Sequence, residues 1–478
     1  MLFQEDCKKG LFLLLNTLIQ GAHSALFSFD KLCYNIYICY VAGVYMNGSP
    51  FNTLSLIKKN VPKRIIEILF KAGILADRLG YKAYLVGGFV RDLLLELKSC
   101  DIDIVIDGDC FEFGKILSEQ LEGRFKKYER FLTGKIILSS GMSIDIATAR
   151  TEYYKSPASL PIVERGNIKT DMFRRDFTIN ALAISLNKND FGNIIDYFNG
   201  IKDLNKRILR VIHKNSFNDD PTRIFRGIRL KVRYGLSFEK KTNLLLKAAV
   251  ENGVINKLSS DRLRNEIFLM LKEKHPEENI KELLLYKILD KLFPDNGIDS
   301  EIIEKIKSAK HLIKRINRKK IVSDVNENTV LLLILFKNHN FIEQIVSRLN
   351  LPKKTAKDVM CLKEYKIILA ELNKCNRPSK IYELLNRYSN EFIVFLLIVS
   401  YNFTTAKNII RYFKTAKDIR LNITGHTLTK MGIKPGPKFK MILNQVRKLK
   451  LDGKISTKEE EIMFVSKLLK KLRRLKQC

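Results

Sequence analysis

The sequence predicts an α+β chain: a small head built on a mixed β-sheet, followed by a long all-α body. Three observations carry this. Between about residues 60 and 200, apolar residues switch repeatedly between helical spacing and strict alternation. The alternating segments lie close together, which favours a mixed or antiparallel sheet over a doubly wound one. After about residue 210 nearly every segment fits an amphipathic helix, and the sparse Pro and Gly fall between helices. At 478 residues the chain is long enough for two to four domains.

Taken in order, NVPKRIIEILFKAGILADRLG has apolar residues at helical spacing. YKAYLVGG is a short apolar strand running into glycines, and FVRDLLLELKS starts a helix. CDIDIVIDGD alternates as a strand does, FEFGKILSEQLEG is helical, and RFKKYERFLTGKIIL and MSIDIATAR read as further strands. Beyond them SFNDDPTRIFRGIRLKVRYG, KKTNLLLKAAVENG and SSDRLRNEIFLMLKE are helical. No repeat of fixed period is visible. The last 25 residues carry a Lys/Arg run that reads as a solvated helix face.

The net charge is +34, with a pI near 9.7. A surface this basic makes a polyanion, nucleic acid above all, the leading partner class. A composition rich in Lys, Asn and Ile explains the Lys excess without explaining where the Arg residues sit. The eight Cys include no CxxC pair and no nearby His cluster, so a zinc site is not expected and the chain reads as reducing and cytoplasmic. Residues 11–45 are apolar and aromatic, interrupted by His23, Asp30 and Lys31. They read either as a signal-like or membrane-associated segment or as an upstream extension before a start at Met46; the extension is favoured because a cytosolic-looking chain begins at Met46, and no stable membrane association is expected.

Three constellations carry chemistry. The first is Gly87-Gly88-Phe89-Val90-Arg91-Asp92, followed by Asp101-Ile102-Asp103. Glycines at a strand-to-helix junction let the backbone approach a ligand, and freed N–H groups favour an anion such as a triphosphate. Arg91 is placed to reach a phosphate or a sugar hydroxyl. Asp101 and Asp103 alternate along a strand and share one face. Two such carboxylates repel unless a cation lies between them, and hard oxygen ligands suit Mg²⁺. Either piece alone is more often a turn or a solvated strand face; their order and short spacing favour a site. Asp145, on another alternating strand, reads equally as a carboxylate facing water or, if that strand neighbours the first, as one that completes the acidic group.

The second constellation, Arg174-Arg175-Asp176 through Asn180, pairs guanidiniums suited to phosphate oxygens with an amide suited to a ribose or base edge. The third begins Asp219-Asp220-Pro221 and continues with Arg223, Arg226, Arg229 and Arg233. Pro221 fits the first turn of a helix with an Asp at or near its cap. The arginines then share one slowly drifting face. No Lys or Glu accompanies them there, which points to an anionic or base ligand rather than to a salt-bridged helix.

Together, LVGGFVRDLLL with DIDIVI, RRDFTINALA, and DDPTRIFRGIRL resemble the class II tRNA nucleotidyltransferases (CCA-adding enzymes) and bacterial poly(A) polymerases, over roughly residues 60–470. The stretch from Ala147 into the second motif resembles the family's flexible loop. Ile423-Thr424-Gly425-His426 and GIKPGPKFKMIL resemble its C-terminal segment.

The resemblance implies that the head is a nucleotidyltransferase fold. Asp101 and Asp103 would hold Mg²⁺ and carry catalysis, and Gly88, Arg91, Arg175, Asp176 and Asn180 would contact the nucleotide. Asp220 and Arg223 would read the incoming base through its Watson–Crick edge, supported by Arg226 and Arg229. Asp219 stands where many members have Glu, which puts its contact in question. The implied organisation is an N-terminal extension over 1–59, a catalytic head over 60–205, a nucleotide-recognition neck over 206–275 and a tRNA-binding helical body and tail over 276–478. The implied reaction is template-independent addition of CCA, or part of it, to the tRNA 3′ end from CTP and ATP. Alternatives are A-only or CC-only addition, poly(A) synthesis, or a non-catalytic RNA-binding protein on the same scaffold; the paired carboxylates argue against the last.

Overall fold

The computed structural model describes residues 53–99, 101–322 and 325–474. The apolar segment 11–45 and Met46 lie outside the described residues. The chain divides into two compact units. One ends at Lys155 and resumes over Leu160–His213; the other takes Ser156–Ser159 and everything from Lys214 onward.

The first unit is built on a seven-stranded sheet. Its strands are β1 (Lys82–Val86), β2 (Ile102–Asp107), β3 (Gly123–Tyr128), β4 (Thr133–Leu138), β5 (Ser143–Thr148), β8 (Ala183–Ser185) and β9 (Ile194–Ile195), in the order β3-β4-β5-β2-β1-β8-β9. β2 and β5 run parallel, and the other neighbours are antiparallel, so the sheet is mixed as expected. Alternation sorts its two faces. Ala83, Leu85, Ile102, Ile104, Ile106, Ile144 and Ile146 join one apolar core with the helices Lys63–Leu79 and Cys110–Gln120. Tyr84, Val86 and Val105 point the other way, into a smaller cluster with Met172 on the helix Ile168–Phe173. Asp103 stands on this second face, two residues from Val105.

The head starts earlier than the expected boundary at 60. Leu54 and Ile57, on the helix Thr53–Asn60, are buried in its main core. It also runs on to His213, past the expected end at 205. The segment resembling a flexible loop is a hairpin, with β6 (Arg150–Tyr153) paired antiparallel to β7 (Ile162–Arg165). Pro157 and Pro161 cannot donate to a ladder, which confines pairing to its ends.

The second unit is helical. SFNDDPTRIFRG, read as one helix, is two: Ser216–Asp219 and Thr222–Tyr234, with Asp220 extended between them at φ −137°, ψ 96°. Proline disfavours a helical conformation in the residue before it, which makes Asp220 the break. Farther on, the helices Glu327–Leu335 and Asn390–Val399 pack together, buried on almost every side. An all-apolar helix belongs in a core. Near the C-terminus Ile423, Leu428, Ile433, Ile442, Val446 and Val465 form a separate cluster. Among the described residues no helix is long and apolar enough to cross a membrane.

Candidate active site

β2 and β5 are in register with Asp103 opposite Asp145, and Ile102 opposite Ile144. Opposed residues share a face, so both carboxylates lie on the side of the sheet away from the main core. Asp101, two positions before Asp103, belongs to the same side and is exposed. The strand of Asp145 does neighbour that of Asp103, which meets the condition set for it. Asp145 is also opposite Lys135 on β4, whose Nζ lies 3.0 Å from Asp145 Oδ1.

Asp103 is the strained member of the group. Its carboxyl is pushed up to about 6, first by burial and next by the charge of Asp145; Arg175 pulls the other way, and Asp101 adds to the rise. Burial and like charge both penalise the ionised form. A cation at the carboxylates would relieve that penalty. Among the described residues no group of three or more His, Cys, Asp or Glu side chains encloses a metal on its own. One or two carboxylates left open to a substrate's phosphates is, however, the kind of donor set Mg²⁺ favours.

Gly87 closes this site from β1. It has φ +72°, a conformation glycine adopts without strain. A Cβ there would stand 2.9 Å from Arg175 Nη1 and 3.7 Å from Asp103 Oδ2. Gly87, Arg175 and Asp103 are therefore gathered in one place, which brings the first two motifs together.

Arg175 is held by Asp171, whose Oδ2 accepts from its Nε at 3.3 Å and Nη2 at 3.0 Å. The same carboxylate takes Arg174 through Oδ1, and Arg174 also pairs with Glu152. Burial alone would raise the Asp171 carboxyl, but Arg174 and Arg175 hold it below the usual carboxylate range. Of the paired arginines, Arg174 is thus committed to internal ion pairs, while Nη1 of Arg175 sits beside Gly87. Asp171 was missed in the sequence, although its i,i+3 and i,i+4 spacing to the two arginines is a readable signal.

Arg91, Asn180 and Asp176 are all buried and form a chain. Arg91 Nη1 donates to Asn180 Oδ1 at 2.6 Å, and Asn180 Nδ2 donates to Asp176 Oδ1 at 3.0 Å. Arg91 also donates to Asp92. This network locks the glycine turn to the second motif.

In the second unit, Asp220 Oδ1 accepts from Thr222 N at 3.0 Å and Thr222 Oγ1 at 2.6 Å, as a cap does. Arg223 is buried, with Nη1 donating to Ser216 Oγ at 2.7 Å. Arg226 is exposed. The expectation that this arginine face lacks carboxylates does not hold. Arg229 lies 3.4 Å from Glu266 and 3.9 Å from Glu273, and Arg233 pairs with Glu273. Glu266 comes from the helix Ser260–Lys272 and Glu273 follows it, so the arginine helix's own sequence could not reveal them. Arg262 on that helix, also unanticipated, donates through Nη2 to Asp220 Oδ1.

Residues 83–210 match the family described as the poly A polymerase head domain, and residues 235–296 match the probable RNA and SrmB-binding site of polymerase A. The chain is 31% identical over 429 residues to an A-adding tRNA nucleotidyltransferase of Geobacter sulfurreducens, covering 86% of this chain and 48% of that protein. It therefore spans about half the length of that relative. It is 30% identical to the A-adding tRNA nucleotidyltransferase of Halalkalibacterium halodurans, over 86% of this chain and 95% of that one. Among solved structures, the Thermotoga maritima CCA-adding enzyme complexed with tRNA matches 88% of this chain and 99% of its own, at 32% identity and a TM-score of 0.69.

Proposed function

The chain belongs to the family of tRNA nucleotidyltransferases, and on that premise we propose that it extends the 3′ end of tRNA with C and A residues of the CCA terminus, from CTP and ATP, without a template. The observation that carries the reading is the acidic group Asp101, Asp103 and Asp145 facing Gly87 and Arg175. The reaction joins the RNA 3′ oxygen to the α-phosphorus, releases pyrophosphate and gives up the hydroxyl proton.

Asp101 and Asp103, with Asp145 beside them, are the residues that would hold Mg²⁺, which supplies positive charge to the triphosphate and to the departing pyrophosphate. The chain's own contributions are positional. Gly87 and Gly88 admit the triphosphate close to the backbone. Arg175 is fixed by Asp171 and by the Nη1 bond to the Asn180 carbonyl at 3.4 Å, and the second N–H of Nη1 would meet a phosphate oxygen. Arg91, Asn180 and Asp176 keep the turn that carries the glycines in place. Asp220 and Arg223 choose the base: a carboxylate accepts from the exocyclic amine of C or A, and a guanidinium donates to the adjoining ring acceptor. The basic surface takes the phosphates of the acceptor arm. We place this work in the cytoplasm.

A second reading, A-addition to tRNA already ending in CC, is favoured by the names of the two curated relatives. One assay separates them. The protein is incubated with tRNA ending at the discriminator base, at C and at CC, with CTP and ATP separately and together. Full addition extends all three by the missing residues. A-addition extends only the CC form, with ATP. Long A tracts indicate a poly(A) polymerase, and no extension at all overturns the proposal.

A further inference from the structure

The second unit carries a cavity of about 260 Å³ that no step of the proposed reaction uses. It lies between the helix Lys353–Met360 and the residues that lead into the helix Asn390–Val399. Lys354, Lys357 and Asp358 line it from the first helix, and Arg387, Tyr388 and Ser389 from the other side. Spacings of three and four bring Lys357 and Asp358 over the helix face of Lys354.

Asp358 is the unusual member. It is 3% exposed, and its Oδ2 has no hydrogen-bond partner. Burial pushes this carboxyl up; a hydrogen bond from Ser389 opposes the rise, Glu391 adds to it, and Lys354 and Lys357 pull it back. Nearly every buried polar atom of a folded protein is hydrogen-bonded, so an unmatched acceptor in a cavity wall points to a ligand that brings a donor. The rest of the wall is cationic. Lys354 spends one of its three donors on Glu391 Oε1 at 2.9 Å. The Arg387 guanidinium rests over the Tyr388 ring, 4.9 Å from its centroid. Ser389 caps Asn390–Val399, with Phe392 N donating to its Oγ at 3.0 Å, so the positive end of that helix faces the same place.

Shape selects among anions. Duplex phosphates lie on a convex surface and meet projecting side chains, and a recessed carboxylate would repel them. A small molecule with an anionic group at one end and a hydroxyl donor at the other satisfies both halves of the wall. The volume falls just below the ~300 Å³ at which pockets for drug-sized ligands begin, which suits a single phosphorylated sugar.

We propose that this cavity binds a free sugar phosphate, with Lys357 and Arg387 taking the phosphate and Asp358 accepting from a sugar hydroxyl. The site lies wholly within the second unit and goes beyond the proposed reaction, so neither depends on the other.

Isothermal titration of the full chain with ribose 5-phosphate and with methyl phosphate tests the site, for wild type, the double variant Lys357→Ala/Arg387→Ala, and Asp358→Asn. Wild type is expected to bind ribose 5-phosphate roughly 10-fold or more tightly than methyl phosphate, a comparison that needs no substitution. The double variant, altered only at exposed side chains, should lose roughly 10-fold or more of the affinity for both. Asp358→Asn should remove the preference for the sugar without weakening methyl phosphate. Equal affinity of wild type and the double variant for ribose 5-phosphate overturns the site, and equal affinity of wild type for the two ligands overturns the hydroxyl contact. Filter binding of tRNA supplies the remaining arm. Unchanged tRNA affinity in the double variant is expected; a 10-fold loss there, with no ribose 5-phosphate bound by wild type, assigns the cavity to an RNA backbone and overturns the proposal.

Discussion

Asp103 is under two demands that oppose each other. Its carboxyl sits at about 6 in the folded chain against an ordinary value of 3.8. An acid in this position binds its proton more tightly folded than unfolded. The fold therefore loses stability as pH rises between about 4 and about 6, and stays lower above that. Two units correspond to about 3 kcal/mol at most. Asp103→Asn removes the penalty without changing shape. It is expected to raise the denaturation midpoint at pH 7.5 in the absence of divalent cations, and to have an effect that shrinks steadily as pH falls below about 4, where the carboxyl becomes protonated in both states. Nucleotide addition should fall by roughly 1,000-fold or more. A variant that is both inactive and less stable at pH 7.5 contradicts this account. In the wild type the proton competes with the divalent cation for this carboxyl: at limiting Mg²⁺, addition should decline as pH falls toward about 6, and raising Mg²⁺ should move the decline to lower pH. An acid limb that does not move with Mg²⁺ argues against Asp103 as the titrating group.

At the scale of elements, close approach matters more than propensity. Gly73 lies inside the helix Lys63–Leu79, where Ala would ordinarily stabilise by about 1 kcal/mol. Here a Cβ would stand 1.9 Å from the backbone carbonyl oxygen of Leu186, which cannot rotate away. Gly73→Ala should therefore destabilise the head by about 1–3 kcal/mol, read as a lower urea midpoint. A gain would mean that helix and loop slide apart freely. This contact also marks the limit of what the sequence displays. The alternation in DIDIVI and SIDIA placed Asp103 and Asp145 on strands, and glycines between strand and helix marked the turn. Local period suffices for such assignments. The parallel register that sets Asp103 opposite Asp145 comes from strands about 40 residues apart, and no local pattern encodes it. The same holds for Glu266 and Glu273, which reach the arginine helix from a neighbour, and for Arg262. The break at Asp220 was legible in Pro221. Its consequence, an extended aspartate between two helices, depends on the packing of Ser216 and Arg223.

On the scale of the whole molecule, the net charge of +34 is its largest electrostatic fact, and it has a measurable consequence. Folding gains nothing from such an excess, since like charges repel and screening by salt relieves them. An RNA partner reverses the sign of that effect, because each phosphate neutralised by Lys or Arg releases condensed counterions. Affinity for tRNA should therefore fall with a steep logarithmic slope. About 6–10 phosphate contacts predict a loss of roughly 10³–10⁵-fold between 50 and 200 mM salt, by filter binding or anisotropy. Thermal stability of the free protein should hold or rise over the same range. The two opposite trends separate a polyanion-binding surface from a merely Lys-rich one: a chain whose lysines are incidental would gain stability with salt but lose little affinity. Asp101→Ala sharpens the contrast. It removes one carboxylate from the acidic group of the head and leaves the basic surface intact, so it should abolish nucleotide addition while leaving the salt slope of tRNA binding unchanged. Loss of binding together with addition would place the RNA contact at the carboxylates themselves and contradict the division of labour proposed above.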